Sequence, residues 1–572
     1  FTPNGAYILY RLTDADDTTR LFGAPADPLG APQQLTDALG AEDEVGRYGV
    51  TPDEQALVFE LTVESVPEGA GDSIQYVDIS SWPPAAPQPI SPAPLEGVSP
   101  EVRDFELTDD GRYVVYQWDG SGAGAAYVTS VEAPHTITEL SAQPQAVAAD
   151  VGSFAVSPNK QWVAYTADPD VDRVDKVFLL PADAPDEAIT LFTETGEASV
   201  SADGFRFTSD SSHFIFAATG SDDKERLFVT SLDAPTAASE RALTDVGGHL
   251  YEDELTLSPD EKRVYFRALL SGDAPPEIYA LALSGSGPPT KLSGPLVEGG
   301  QVHDFVLSPS GERLLYRADA STDEVDELYA VEVTDLSNAS SQKVNPDFGD
   351  VGERGVQESY GFTPDESGIL YVADPVPDPE GAPQADGRYE LFHVPADDLG
   401  NATSISGSPS DSGLSHRDGA FSIAPDGSAV AYVAQQDSTT RELYVASLSP
   451  PGSPTKLNAT VVDGGGVARL EWSPDSQAIV YLGDLETEYL RELFWVAADG
   501  QSAPVKLNAP LDSNVDQFGF SPSGRHFFYL AQHADADVEH VYLLDMVGAQ
   551  TPVRASGIVQ PSGEVRSAEF FE

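Results

Sequence analysis

Acidic side chains recur at alternate positions in several short polar segments of the sequence. The strongest candidate metal ligands are Asp168, Asp170, Asp172 and Asp175 in one segment, and a weaker version of the pattern contains Asp319, Ser321, Asp323 and Asp326. Alternate carboxylates can turn toward one point, as sites for hard, oxygen-binding cations require. We therefore expect calcium in these loops, with a solvated acidic hairpin tip as the alternative. The segments lack the central glycine and the flanking helices of an EF-hand.

Further ligand types lie in other segments. Another weaker acidic cluster contains Asp484, Glu486 and Glu488. His533 and His540 flank three carboxylates, and together these groups could hold a transition metal. Successive side chains of a strand alternate in direction, so the two imidazoles need not converge.

The elements that position these residues are hairpins. Phe305 to Leu307 alternates as a half-buried strand does, Pro309 and Gly311 make a turn, and Arg313 to Tyr316 resumes an apolar strand. Variants of this hairpin occur eleven times along the chain. Each is followed by a short strand centred on an aromatic residue and by a weak fourth strand.

Four short antiparallel strands per repeat, with no useful helical periodicity, predict an all-β fold and indicate the blades of a β-propeller. A lone four-stranded sheet leaves both faces uncovered, so each repeat needs neighbours to bury them. A β-sandwich or an open β-solenoid is the alternative.

The turn Ala424-Pro425-Asp426-Gly427, the strand that ends at Tyr432 and the strand Leu443-Tyr444-Val445 resemble the WD40-like repeats of the TolB-type β-propeller. Propellers of this kind serve as periplasmic scaffolds, as gating domains of peptidases and as polysaccharide-degrading enzymes, so the resemblance implies a fold more than a function. The sequence shows neither the α/β domain that precedes the propeller in TolB nor the C-terminal hydrolase domain of the prolyl oligopeptidase group.

The two ends of the chain bear on how the blades close. The chain begins near the end of an expected first strand, and the tail 564–572 has the pattern of the missing strand. We therefore expect this tail to complete the first blade, which removes exposed strand edges. One such closure favours a single ring of eleven blades over residues 1–572. Two smaller propellers, divided near 335–362 or 396–420, are the alternative.

Charged residues lie just before the apolar part of several first strands, which line the channel of a propeller. The candidate ligand-binding residues are Arg103, Asp104, His303, Asp304, Arg417 and Asp418. They could form a polar channel mouth that binds a small or peptidic ligand. Alternatively, they pair with one another at a crowded hub.

Composition excludes some partners. The formal net charge is −64, which repels nucleic acid phosphates and anionic membranes. This charge fits either a solubility or high-salt adaptation, or carboxylates that hold divalent cations. The chain has no cysteine, which excludes disulfides and thiolate metal sites. No apolar run is long enough to span a bilayer, and because the sequence begins at Phe1 we expect a processed or trimmed product, which leaves an export signal open.

The sequence contains no Gly-x-Ser-x-Gly elbow on a strand-to-helix turn, no His-Glu-x-x-His and no phosphate-binding loop. We therefore predict a non-enzymatic, exported or cell-surface β-propeller that serves as a binding or structural scaffold for a protein or carbohydrate partner, with calcium as the expected ion. One alternative is a polysaccharide- or peptide-cleaving enzyme with its site at the channel mouth. Another is a subunit of an extracellular assembly.

Overall fold

The computed structural model describes residues 2, 5–13, 18–26, 31–36, 39, 43–63, 71–93, 99–107, 111–119, 125–139, 151–159, 161–167, 176–181, 189–192, 199–200, 205–219, 225–233, 235, 239–240, 249–251, 255–269, 274–284, 287–347, 355–374, 388–407, 413–414, 421–436, 439–534, 539–546, 552–556 and 564–568. In these ranges every regular element is a β-strand except one 3₁₀-helix, Leu336–Asn338. None of the described helical residues belongs to a helix long and apolar enough to cross a membrane. The predicted all-β class is therefore confirmed.

In the described residues the strands form eleven antiparallel blades of four strands, in some of which the first strand is broken into two short pieces. Blades 1 and 2 are joined into one sheet by a parallel contact between Thr19 and Glu44. The chain divides into two compact units, Phe1–Asp245 with Asp516–Glu572 and Val246–Val515. The segments 335–362 and 396–420 both lie inside the second unit. Whether the blades form one ring or two stays a prediction.

The first unit contains blade 1 (β47 Glu564–Ala568, β1 Tyr7–Thr13, β2 Thr19–Pro25, β3 Gln33–Gln34), blade 2 (β4 Glu44–Val50, β5 Ala56–Val63, β6 Gly71–Asp78, β7 Gln88–Pro89), blade 3 (β8 Val102–Leu107, β9 Tyr113–Trp118, β10 Ala125–Ser130, β11 Ile137–Glu139), blade 4 (β12 Val151–Val156, β13 Trp162–Ala167, β14 Lys176–Pro181, β15 Ile189–Phe192), blade 5 (β16 Ser199–Val200, β17 Arg206–Phe207, β18 His213–Thr219, β19 Glu225–Ser231, β20 Ser239–Glu240) and blade 11 (β43 Gln517–Phe520, β44 His526–Ala531, β45 His540–Asp545, β46 Val553–Arg554).

The second unit contains blade 6 (β21 His249–Leu250, β22 Thr256–Leu257, β23 Arg263–Leu269, β24 Glu277–Ala282, β25 Thr290–Lys291), blade 7 (β26 Val302–Leu307, β27 Arg313–Ala318, β28 Glu327–Glu332, β29 Ser341–Lys343), blade 8 (β30 Val356–Phe362, β31 Gly368–Ala373, β32 Glu390–Pro395, β33 Thr403–Ser404), blade 9 (β34 Gly413–Leu414, β35 Phe421–Ile423, β36 Ala429–Gln435, β37 Glu442–Ser447, β38 Thr455–Lys456) and blade 10 (β39 Val467–Trp472, β40 Ala478–Gly483, β41 Glu492–Ala497, β42 Val505–Lys506).

The C-terminal strand β47 lies beside the first strand of the chain. It pairs antiparallel with β1, with Tyr10 opposite Ala568 and Thr13 opposite Glu564. Blade 1 also packs face to face on blade 11, where Ile8 and Tyr10 share one apolar cluster with Phe528. The first and last blades of the chain are thus neighbours in the first unit.

A buried aromatic ring lies in the core of each blade. The aromatic residue of the second strand is buried in every blade and, in ten of them, stacks on an aromatic ring of the third strand, as Tyr316 does on Tyr329. The centroids of that pair are 5.2 Å apart. Such pairs contribute roughly 0.5–1.5 kcal/mol each beyond the burial of their area.

The hairpin turns join neighbouring blades. Ser308 Oγ accepts a hydrogen bond from Arg313 N, and Gly311 N donates to Ser308 O. Gly311 has a φ of +71°, and a Cβ there would lie 2.2 Å from Cδ of Pro259 in the turn of blade 6. Glycine is required at this position both for its backbone conformation and for the close approach of the two turns.

Candidate functional site

The densest group of charged side chains in the described residues lies on blade 7. It consists of His303, Asp304, Arg317, Asp319, Asp326 and Tyr360, and we call it the blade-7 cluster. The register between β26 and β27 shifts at His303, because Val302 lies opposite Ala318 while Asp304 lies opposite Arg317. This β-bulge inserts one extra residue into the first strand, and bulges commonly redirect side chains at functional sites.

Arg317 is the cationic member of the cluster. Its Nη2 lies 2.7 Å from Oδ2 of Asp304, and its Nη1 lies 2.6 Å from Oδ2 of Asp326. Burial opposes the charge, but the hydrogen bond to Asp304 and the attraction of both carboxylates outweigh it, so the pKa of Arg317 is raised. Tyr360 of blade 8 donates its hydroxyl to Oδ1 of Asp304 over 2.5 Å. Hydrogen bonds from Arg317 and Tyr360 therefore fix the position of the Asp304 carboxylate.

His303 lies between two carboxylates. Its Nε2 is 2.9 Å from Oδ1 of Asp326 and 3.4 Å from Oδ1 of Asp319. The hydrogen bond to Asp326 raises the pKa of His303, although burial works in the opposite direction. One ligand atom from each of these three residues lies within 4.8 Å of the others, which makes the set a candidate metal centre.

Asp319 also stabilises the conformation of the loop that contains it. Its Oδ1 accepts from Gln301 N over 2.6 Å and its Oδ2 accepts from Glu324 N over 3.3 Å. Blade 10 repeats this arrangement, since Asp484 accepts from Gly466 N over 2.6 Å and from Tyr489 N over 3.3 Å.

Blade 10 lacks the other members of the cluster. Ala468 stands at the position of His303, Leu482 at that of Arg317 and Arg491 at that of Asp326. The loop aspartate is therefore shared by blades 7 and 10, whereas blade 10 lacks the imidazole and the second carboxylate.

Two sets of residues that the sequence suggested for different purposes meet in this cluster. His303 and Asp304 were expected to bind a ligand, and Asp319 was expected to bind a metal. Asp323 lies elsewhere in the same loop, exposed and above Gly299, where an added Cβ would be 2.7 Å from its Oδ1.

The side chains of eight other candidate residues lie outside the described part of the structure. Six of them, Asp168, Asp170, Asp172, Asp175, Arg417 and Asp418, lie outside the described residues. Arg103 and Asp104 lie on β8, and their side chains are outside the described part.

The two histidines of blade 11 have structural partners. His533 Nε2 is 2.8 Å from the hydroxyl of Tyr529, and its ring stacks on Tyr542. His540 Nδ1 is 2.8 Å from Oγ of Ser556. Each imidazole is held by a separate hydroxyl group within blade 11.

Sequence reasoning missed Arg317 and Tyr360. The available signal for Arg317 is a charge directly after the buried aromatic of the second strand, where blades 8, 9 and 10 have Val372, Val433 and Leu482. Tyr360 has no comparable signal, because its contact with Asp304 depends on how blade 8 packs against blade 7.

Comparison with protein-family models and with the curated proteins finds no match to this sequence. Among solved structures, a putative TolB from Agrobacterium tumefaciens is similar at 19% identity and a TM-score of 0.25, over 44% of this chain and 79% of that one. The Dos1 propeller is similar at 12% identity and a TM-score of 0.32, over 67% of this chain and 89% of that one.

A prolyl endopeptidase structure is similar at 14% identity and a TM-score of 0.30, over 67% of this chain. The matched region spans 54% of that protein, about half of its length. All three TM-scores lie below 0.5. The assignment as a β-propeller therefore stands on the blades of this chain: it is an all-β protein built from four-stranded antiparallel propeller blades.

Proposed function

We propose that the protein is a non-enzymatic β-propeller binding scaffold in which blade 7 holds one divalent metal cation. The proposal rests on the convergence of three side chains. One ligand atom from each of His303, Asp319 and Asp326 lies within 4.8 Å of the others. The bound cation and the surrounding carboxylates would form the surface that a protein or carbohydrate partner contacts.

The distances within the cluster suit a shared cation. Nitrogen and oxygen ligands bind zinc at about 2.0–2.2 Å, which places two ligands of a tetrahedral site about 3.3 Å apart. Nε2 of His303 is 2.9 Å from Asp326 and 3.4 Å from Asp319. A small relaxation would therefore bring the three groups to bonding distance of one ion.

The charge of the cluster favours a divalent cation. Asp304, Asp319 and Asp326 contribute −3 and Arg317 contributes +1, so the sum with a neutral imidazole is −2. A divalent ion brings the sum to zero. Neutralisation matters most at Asp319, whose side chain is only 6% exposed, because an uncompensated charge is costly at a buried position.

The ligand types favour a transition metal over calcium at this position. Imidazole suits zinc and other first-row cations, whereas calcium selects oxygen ligands. Arg317 binds Oδ2 of Asp326, which leaves Oδ1 toward His303 for a cation, while the positive charge of the guanidinium opposes that cation. Calcium in the acidic loops stays a separate prediction.

A binding role fits the surroundings of His303 better than acid–base catalysis does. In the described part of the chain Nε2 of His303 contacts only carboxylates, and no hydroxyl or thiol nucleophile lies against it. Export to the periplasm, the cell surface or the medium belongs to the proposal, and fractionation of cells that express the full protein would test it.

The experiment is calorimetric titration of chelator-treated protein with Zn²⁺, Mn²⁺ and Ca²⁺. We expect one saturable site for Zn²⁺ or Mn²⁺, weaker binding of Ca²⁺, and loss of the site in His303→Ala. Asp484→Asn is the matched control, since it alters the same loop in blade 10 and should leave binding unchanged. Absence of saturable binding to the wild-type protein, or equal binding by His303→Ala, would overturn the proposal.

A further inference from the structure

Four blades of the second unit share an ion pair between their third and fourth strands, in which the glutamate is largely buried and the lysine is partly exposed. A glutamate begins the third strand, and a lysine of the fourth strand reaches its carboxylate. The pairs are Glu277–Lys291, Glu327–Lys343, Glu442–Lys456 and Glu492–Lys506. In each case the lysine lies opposite the aromatic residue two positions after the glutamate.

Blade 7 shows how completely such a glutamate is satisfied. Glu327 is 2% exposed, and its Oε2 accepts from Ser321 N over 2.9 Å and from the hydroxyl of Tyr329 over 2.6 Å. Its Oε1 binds Lys343. Burial raises the pKa of Glu327, but the hydrogen bonds from these three groups outweigh burial and the pKa is lowered. Each carboxylate oxygen of Glu327 therefore accepts at least one hydrogen bond, which stabilises its charge.

Blade 8 keeps the glutamate and lacks the lysine. Glu390 begins β32 and is 5% exposed. Phe392 lies opposite Ser404, as Tyr329 lies opposite Lys343, so Ser404 stands where the lysine would be. Phe392 has no hydroxyl group with which to replace the donor that Tyr329 provides.

The polar atoms at this place have no partners. Within the described ranges no hydrogen bond or ion pair reaches the carboxylate of Glu390, and Oγ of Ser404 is buried with no hydrogen-bond partner. Glu390 is only 5% exposed, and a carboxylate group in such a position without a compensating charge is unfavourable. In the other four blades a lysine of the fourth strand supplies a positive charge to this glutamate. Ser404 occupies the position of that lysine in blade 8 and supplies no charge.

We propose that a monovalent cation, chemically a potassium, sodium or ammonium ion, binds between Glu390 and Ser404 in blade 8. The carboxylate and the hydroxyl supply oxygen ligands, which alkali and ammonium ions accept, and one negative charge matches one positive charge. Glu390 is too buried for a lysine of another protein to reach it, so the ligand is a small ion. The site is independent of the blade-7 cluster and of the metal proposed there.

The test compares melting temperatures of the full chain in KCl, NaCl, NH₄Cl and tetramethylammonium chloride at one ionic strength. The tetramethylammonium ion is too large for the site, so the wild-type protein should melt about 2 °C or more higher with at least one of the small cations. The three small-cation arms identify which ion binds best. In Glu390→Gln this difference should disappear.

Ser404→Lys is the second variant, because it restores the ion pair of the other blades. It should melt higher than the wild-type protein in tetramethylammonium chloride and should respond less to small cations. Lys343→Ser combined with Tyr329→Phe is the comparison variant, since it removes from blade 7 the lysine and the hydroxyl group that blade 8 lacks, and it should gain a dependence on small cations.

A crystallographic measurement on the wild-type protein tests the proposal even if a variant fails to fold. Crystals of wild-type protein grown with Rb⁺ should show an anomalous peak between Glu390 and Ser404. The proposal is overturned if no peak appears there, or if wild-type protein and Glu390→Gln respond equally to every cation.

Discussion

Asp319 and Asp484 hold the same loop in two different blades. Each places Oδ1 2.6 Å from the backbone nitrogen of a residue at the start of the first strand. Only Asp319 has an imidazole within 3.4 Å of that oxygen. The structural role and the proposed metal-binding role of this aspartate can therefore be separated by comparing the two blades.

Asp484→Ala isolates the structural role. It leaves the backbone N–H groups of Gly466 and Tyr489 without their acceptor, and we expect the free energy of unfolding to fall by about 1–3 kcal/mol. Urea unfolding measures this loss. Asp463→Ala is the control, because Asp463 is exposed, and it should change stability by less than about 0.5 kcal/mol. Equal effects of the two substitutions would show that the loop does not depend on the carboxylate.

Arg317→Leu should change stability and metal affinity in opposite directions. Leucine is the residue that blade 10 has at this position. Without the guanidinium, Asp304 and Asp326 lose their ion pairs, and because both are partly exposed we expect a loss of about 1–3 kcal/mol in metal-free protein. Removal of a positive charge beside Asp326 should tighten zinc binding. Unfolding with and without Zn²⁺ measures both effects, and weaker zinc binding would contradict the proposed site.

The repeat architecture follows from the local sequence because each hairpin carries its own signals. The Ser308-Pro309-Ser310-Gly311 turn and the aromatic at Tyr316 are local features, and both lie where they were expected, at a turn and in a buried ring stack. Local turn chemistry and hydrophobic alternation are enough to specify a blade.

The blade-7 cluster depends on relationships that the local pattern does not contain. The bulge at His303 and the packing of Tyr360 from the next blade bring together side chains that lie up to 57 residues apart in sequence, from His303 to Tyr360. Spacing grouped Asp319 with Ser321, Asp323 and Asp326, whereas the candidate metal centre combines Asp319 and Asp326 of this loop with His303 from the first strand.

Two equivalent tyrosines should respond differently to loss of their hydroxyl groups. Tyr316 Oη accepts from Gly294 N over 3.0 Å and contacts Oγ of Ser341. Tyr371 Oη in blade 8 is buried with no partner in the described chain, and Ala402 stands at the position of Ser341.

Tyr316→Phe should therefore lower the free energy of unfolding by about 1–2 kcal/mol, whereas Tyr371→Phe should leave it unchanged or raise it by up to about 1 kcal/mol. Thermal and urea unfolding of the two variants measure the difference. A larger loss in Tyr371→Phe than in Tyr316→Phe would mean that the Tyr371 hydroxyl has a partner.

Asp365 and four other aspartates of the hairpin turns should titrate at unusually low pH. Thr363 Oγ1 donates to Oδ1 of Asp365 over 2.7 Å, and both N and Oγ of Ser367 donate to the same oxygen. These bonds lower the pKa of Asp365. The same direction holds for the turn residues Asp53, Asp210, Asp260 and Asp426.

Because the folded pKa is depressed, the contribution of each turn to stability is present above the unfolded pKa of about 3.9 and is lost as the pH falls through the folded value. Carbon-detected NMR titration of the Asp365 carboxyl group checks the direction. Thr363→Val removes the largest single donor and should move the pKa upward, while an unchanged pKa would show that the turn does not stabilise the charged form.

The central claim is that His303, Asp319 and Asp326 bind one divalent cation. Anomalous diffraction at the zinc edge, from crystals of the full chain grown with Zn²⁺, tests it most directly. The account predicts a peak about 2.0–2.2 Å from Nε2 of His303 and from one oxygen of each aspartate. A fully zinc-equilibrated crystal with no peak among these three residues would contradict it.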